Sequence, residues 1–259
     1  PMIDSHCHLD LPEFEPDWQD VLNSAVKQGV ERILIPGTAV SGWQRQQDMA
    51  ADNAQLDVAF GLHPYFFPDE PENALAALRE QLQTTTIKPV AIGEIGIDGA
   101  IDTSLKAQQA LFEAQLVVAS EQSLPVILHH RRSHHLLLES IKRSRFTQGG
   151  VIHAFSGSEQ VARQYIDVGF KLGIGGTITY SRAQKTRQTV ANIPLQHLLL
   201  ETDAPDMPMS GRQGARNEPQ FIGEVVAALA DLHGITPEAV IEQTTANYFA
   251  LFGSRTQCK

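Results

Sequence analysis

Six apolar runs in this chain end on side chains able to hold a metal ion. They are residues 2–9 (MIDSHCHL), 58–64 (VAFGLHP), 90–98 (VAIGEIGID), 126–130 (VILHH), 151–155 (VIHAF) and 198–205 (LLLETDAP). Each reads as a buried strand whose hydrophobic part stops at His6 and His8, His63, Glu94, His129, His153 or Asp203. His6 and His8 are two apart, so on a strand both project to one face. Two neutral imidazoles converging on a point suit a divalent transition metal. Glu94 lies inside a Val/Ala/Ile strand, where a carboxylate is costly to bury unless it meets a cation. Its two oxygens can touch two ions at once. Asp203 is placed to be a ligand, a general base for bound water, or both. Leaving His63 aside, four imidazoles and two carboxylates make the inventory for two divalent ions sharing a carboxylate.

Other polar residues in these runs read differently. Asp98 is expected to serve its loop, and Glu201, a layer deeper than Asp203, to make structural hydrogen bonds. His130 points away from His129 and reads as supporting or structural. His134 and His135 fall on an expected helix, solvated. His197 precedes the last strand at the opposite end of the barrel, and His233 ends a helix, so none of these last four histidines is a ligand candidate. Cys7 alternates with His6 and His8 and should be a buried, inert thiol facing the covering helices. The second cysteine, Cys258, is almost at the other end of the chain, so there is no disulfide framework.

The elements that must position these groups alternate regularly. Strands at 2–9, 31–38, 58–64, 90–98, 126–130, 151–155, 170–176 and 198–205 are separated by amphipathic stretches at 18–27, 41–54, 71–82, 104–122, 133–142, 158–168 and 181–192. Ser41 reads as a helix N-cap. Helices at 218–233 and 237–252 complete the chain. Strict βα alternation with continuous apolar strands argues a parallel sheet covered on both faces. Eight such units in 259 residues match the closed TIM (β/α)8 barrel, in which catalytic groups sit at the carboxyl ends of the strands. An open doubly wound sheet would not need so many strands at one site. One domain over residues 1–259 is the expected organisation.

Composition narrows the function. With 42% hydrophobic and 19% charged residues the chain reads as globular with a sizeable core. No run approaches a membrane span, and Asp4, His6, His8 and Asp10 interrupt any leader-like apolar segment. A reducing cytoplasm suits the cysteine usage. The net charge of −10 disfavours a long duplex groove that tracks phosphates with Lys and Arg. A nucleic-acid substrate would need metal ions and a few local arginines for positive potential.

The segments IDSHCHLD, GLHP, GEIGID, LPVILHHR, VIHAFSGS, GGTITYSRA, LLLETDAPDMP and RNEP run from Ile3 to Pro219, in an order and spacing that resemble the TatD family of metal-dependent deoxyribonucleases, most of all its YjjV branch. The resemblance implies a TIM-barrel hydrolase with two divalent ions (Zn, Mn or Mg). His6, His8, Glu94 and Asp203 would hold one, and Glu94, His129 and His153 the other. It implies phosphodiester hydrolysis on DNA, often from 3′ to 5′. By the same resemblance His63 and Arg131 are candidate phosphate contacts, and Arg216 and Asn217 lie near the substrate mouth. Two features depart from the family pattern: the short GAIDTS after Asp98, and His130 in place of a smaller residue.

The expected chemistry is two-metal activation of water, with Asp203 accepting or orienting its proton, and Glu94 and His63 completing the catalytic set. The substrate is expected to be short or single-stranded nucleic-acid ends, with no membrane and no obligate protein partner. The same ligands would also activate water toward an amide, a lactone or a small phosphoester. A non-catalytic metal-binding scaffold is the remaining reading, against which the complete ligand set counts.

Overall fold

The computed structural model describes residues 1–253; Cys258 lies outside them. Eight strands run in chain order: β1 (Met2–Asp4), β2 (Val30–Ile35), β3 (Leu56–Phe60), β4 (Ala91–Asp98), β5 (Val126–Arg131), β6 (Gly150–Ile152), β7 (Phe170–Ile174) and β8 (Leu198–Leu200). Each pairs in parallel with the next. The seam between β8 and β1 closes just beyond the strand ends. Ser5 N donates to Leu200 O at 3.0 Å, Asp203 N to His6 O at 2.9 Å and His8 N to Ala204 O at 2.9 Å. Asp4 seals it, its buried carboxylate accepting from the Thr202 amide at 3.0 Å and hydroxyl at 2.6 Å.

Between the strands lie α1 (Trp18–Lys27), α2 (Trp43–Asp52), α3 (Pro71–Thr84), α4 (Leu105–Gln122), α5 (His134–Arg143), α6 (Glu159–Asp167) and α7 (Gln184–Asn192), with α8 (Ile222–His233) and α9 (Pro237–Phe252) after β8. The sequence patterns fix these helices locally. In α4, Leu111, Phe112, Gln115, Leu116 and Ala119 form the buried face, each fully buried aliphatic or aromatic side chain contributing roughly 1.5–3 kcal/mol. Ser104 caps its first turn by accepting from Ala107 N at 3.1 Å, as Ser158 does for α6 and Thr236 for α9. Ser41 does not cap α2. It lies in a 3-10 turn (Val40–Gly42), and Gly42 stands at the cap position without a side-chain bond.

Two apolar layers follow from strand alternation. Residues facing outward, such as Ile33, Ile92, Leu128 and Leu172, pack with the helices. Those facing inward, Ile3, Leu34, Ala59, Ala91, Ile127, Val151 and Leu199, fill the barrel together with Tyr248 and Phe252 of α9. The last helix therefore plugs the foot of the barrel, at the amino ends of the strands. There Tyr248 Oη donates to Asp57 Oδ2 at 2.6 Å, and Arg32 Nη1 donates to Asp57 Oδ1 at 3.0 Å.

Several strands are shorter than their apolar runs. β1, β3, β6 and β8 end before His6, His63, His153 and Asp203. Residues 5–8 nevertheless continue the pairing on both sides: Ser5 N and His8 N donate to Leu200 O and Ala204 O, and Cys7 N to Leu34 O, while His6 N donates to Asp4 Oδ1 at 3.2 Å. Cys7 is a buried free thiol in the outer layer, and His6 and His8 face the other way.

Candidate metal centre

Glu94 reaches the barrel interior through an irregularity that strand periodicity does not reveal. Ala91 faces inward, so regular alternation would aim Glu94 at the helices. The β4–β5 register instead shifts between Gly93 and Ile95, with Gly93 opposite Ile127 and Ile95 opposite Leu128. This bulge moves Ile95 and Ile97 to the outer layer and turns Glu94, Gly96 and Asp98 inward. Gly96 has φ of +151° and lies so close to His129 O that a β-carbon would not fit.

Around the Glu94 carboxylate, 1% exposed, five imidazoles converge. Oε1 lies 3.0 Å from His6 Nε2 and 3.3 Å from His8 Nε2. Asp203 Oδ1 is 3.4 and 3.6 Å from the same two nitrogens. Oε2 lies 3.0 Å from His63 Nε2, 3.3 Å from His129 Nδ1 and 2.9 Å from His153 Nε2. Close as they are, none of these approaches is aligned as a hydrogen bond, and both Glu94 oxygens lack a partner among the described residues. Buried polar atoms are rarely left so. Two oxygens, each facing its own set of nitrogen and oxygen donors, fit a pair of divalent cations. Three overlapping groups satisfy the spacing of a metal site: His6, His8 and Asp203; His6, Glu94 and His153; His63, Glu94 and His129.

The bonds on the far side of each ring decide which nitrogen is free to ligate. His129 Nε2 is 2.8 Å from Asp98 Oδ2; a proton held there leaves the Nδ1 lone pair facing Glu94. His153 Nδ1 faces Glu201 Oε1 at 3.4 Å without an aligned hydrogen bond, and Glu201 Oε1 accepts from Ala154 N. Glu201 has room because the inward position of β7 is Gly173, where a β-carbon would strike the carboxylate. His63 differs. Its Nδ1 accepts from the Tyr65 amide at 3.0 Å, so the neutral ring carries its proton on Nε2, the nitrogen on the Glu94 side of the ring. A donor there is a poor ligand and a good hydrogen-bonding electrophile.

Electrostatics separates the acids. Burial works to raise the Glu94 pKa, but His153, His63 and His6 hold it well below the usual carboxylate range. Burial, with repulsion from Glu94 and Glu201, pushes Asp203 up to about 7 against the pull of His153 and His8. Burial also opposes protonation of His8, yet Glu94, Asp203 and Asp10 carry it to about 9.

The cluster floors an open cavity of about 1180 Å³ at the carboxyl ends of the strands. Arg131 lies at its rim, Nε bonded to Asp98 Oδ1 at 2.9 Å and the guanidinium 5.4 Å from the Tyr65 ring centre. Arg216 does not line it. Its Nη1 and Nη2 donate to Asp17 at 3.0 and 2.7 Å, and its plane covers Phe14. Asn217 is fully buried and donates to Thr202 O and Asp206 O, both at 2.9 Å, holding the loop after β8 in shape. His134 is not solvated as its helical position suggested. Nδ1 pairs with Tyr165 Oη at 2.7 Å and Nε2 with Ser156 O at 2.9 Å, while its ring stacks on His130, 4.2 Å between centres. Asp98 is the residue sequence reasoning undervalued: it does bond its loop, at Ala100 N, but it also grips His129 and Arg131. Its strand-end position, two residues past Gly96, which pairs with His129, is the signal that could have found it.

Comparison with known proteins places this geometry in context. The profile of the family described as TatD related DNase matches residues 3–253. The protein is 41% identical over 251 residues to YjjV of Escherichia coli K12, described as an uncharacterized metal-dependent hydrolase, covering 96% of this chain and 97% of that one. The crystal structure of YjjV superposes with a TM-score of 0.93, covering 97% of both chains. A Klebsiella pneumoniae protein named 3′-5′ ssDNA/RNA exonuclease TatD is 33% identical over 261 residues, 97% of this chain and 98% of that one.

Proposed function

The chain belongs to the TatD-related DNase family of metal-dependent hydrolases, and on that premise we propose that it cleaves phosphodiester bonds of DNA from the 3′ end, acting on short or single-stranded ends. His6, His8, Glu94 and Asp203 would hold one divalent ion, and Glu94, His129 and His153 a second; Zn, Mn and Mg all suit this donor set. One observation carries the reading: a buried carboxylate with two unpartnered oxygens, each facing a separate donor set. Ions bound there would polarise the phosphodiester and bring the pKa of water toward neutrality.

The chain's own groups then divide the work. Asp203, whose Oδ1 lies 3.4 Å from His6 Nε2, would accept or orient the proton of the attacking water. His63 offers Nε2–H toward negative charge developing on the phosphoryl oxygens. Arg131, steadied by Asp98, presents its remaining donors to a neighbouring phosphate. Arg216 and Asn217, whose donors are engaged within the protein, support the loop that carries Asp203. The exonuclease name of the Klebsiella relative supports this substrate class. The buried free thiol of Cys7 agrees with a cytoplasmic setting.

The test is end-labelled single-stranded DNA incubated with the purified protein and excess Mg²⁺, Mn²⁺ or Zn²⁺. Stepwise loss of 3′ nucleotides is expected. No cleavage with any ion, together with turnover of a lactone or amide panel, overturns the assignment.

A further inference from the structure

Three large apolar side chains stand exposed on the wall of the cavity that holds the imidazole cluster: Tyr65 and Phe66, each 51% exposed, and Met207, 37% exposed. Exposed rings concentrated at a binding mouth point to a ligand that covers them. These two are also fixed in place. Pro64 opens a 3-10 turn (Pro64–Phe66), His63 Nδ1 accepts from Tyr65 N at 3.0 Å, and His63 O accepts from Phe66 N at 3.0 Å. The Tyr65 ring lies parallel to the His63 ring, 5.5 Å between centres and 4° between planes. The Phe66 ring meets His63 edge-on at 6.0 Å.

We infer that Tyr65 and Phe66, with Arg131 beside them, form a stacking platform for unpaired nucleobases, and that this platform selects single strands. The inference rests on the nucleic-acid reading above and extends it from the phosphate to the base. A ring offers a π-face to any base, so recognition is tolerant of sequence. A base inside a duplex has both faces covered and cannot use it. Arg131 supplies a cation next to Tyr65, complementary to the phosphate that follows the stacked base. Because the turn is bonded to His63, whose Nε2 is 3.0 Å from Glu94, seating a base on the rings also sets the position of the adjoining phosphodiester. The platform residues bind and position; they perform no proton transfer.

Tyr65→Leu and Phe66→Leu keep apolar bulk and remove the π-face. Each is expected to raise KM for a short oligothymidylate about tenfold and to change KM for an abasic strand of the same length much less. Tyr65→Phe should restore most of the affinity. Fluorescence anisotropy with a labelled phosphorothioate strand reads binding without turnover, and Val117→Ala, at an exposed apolar position on α4, serves as the control. Equal affinity of the wild-type protein for base-bearing and abasic strands, or leucine variants that bind the base-bearing strand like wild type, overturns the platform. The binding arm separates this from the nuclease reading. Ring-dependent binding without cleavage sinks only the nuclease; cleavage without ring dependence sinks only the platform.

Discussion

The two ends of the barrel each bury a carboxylate, and they treat it in opposite ways. At the foot, Asp57 is met by Arg32 at 3.0 Å and by the Tyr248 hydroxyl at 2.6 Å. At the mouth, Glu94 is surrounded by five imidazoles and bonded by none of them among the described residues. The same residue chemistry therefore serves two purposes. A buried charge whose oxygens are satisfied by the protein holds elements together, here α9 against β2 and β3. A buried charge whose oxygens are left open is kept for something the protein binds. Burial alone does not mark a functional acid; what sets Glu94 apart is that both of its oxygens are left without a hydrogen bond among the described residues.

The largest expected effect breaks the mouth. Glu94→Ala should reduce hydrolysis to background and lose bound metal by elemental analysis. Metal retained at wild-type stoichiometry in this variant would show that Glu94 is structural and erase the contrast with Asp57. Metal removal is next. At free metal about a thousand times Kd, the folded state should gain roughly 4 kcal/mol per site, lost on chelation and read by chemical denaturation with and without the ion.

Asp57→Ala attacks the foot. Leaving Arg32 and Tyr248 without their partner should cost about 3 kcal/mol of stability, with metal content per folded protein unchanged. Metal loss in this variant would mean that the two ends are not separable. Asp98→Asn then tests the orienting bond to His129, with an expected weakening of metal affinity by about 10–100-fold. Isothermal titration reads it, and an unchanged affinity would reduce Asp98 to a loop anchor.

The smallest effect concerns pH. Burial, with the charge of His135 and against the Ser156 carbonyl bond, holds the His134 pKa below its ordinary value. The unfolded chain then binds this proton more readily than the folded one, so the stability from neutral His134 is present above about pH 6.5 and lost as pH falls below it. Replacing it by Gln should flatten that part of the stability–pH curve. An unchanged slope would show that its bonds to Tyr165 and Ser156 do not depend on protonation.

Much of this architecture was legible in the residues. Eight apolar runs predicted eight parallel strands in order, and the side chains that terminate six of them converge. What the sequence hid has specific causes. Alternation along β4 puts Glu94 on the wrong face, and only the bulge at Gly93 and Ile95 turns it inward. Asp57 and Tyr248 are 191 positions apart and carry no local signal of their pairing. Arg216 follows the family pattern toward the mouth, yet Asp17 on the neighbouring loop occupies its guanidinium. Tyr65 and Phe66 sit in an apolar stretch, PYFFP, that reads like core until exposure is known.

The plug at the foot has a consequence for synthesis. β1 leaves the ribosome well before its seam partner, for Thr202 is 198 positions behind Asp4, and α9 follows later still. The barrel cannot close around its interior until α9 emerges, so a nascent chain must carry its inward-facing apolar strands unsealed while the residues between β1 and α9 are made. Shielding by chaperones during that interval, rather than after release, is where the cell's investment in this protein should be concentrated.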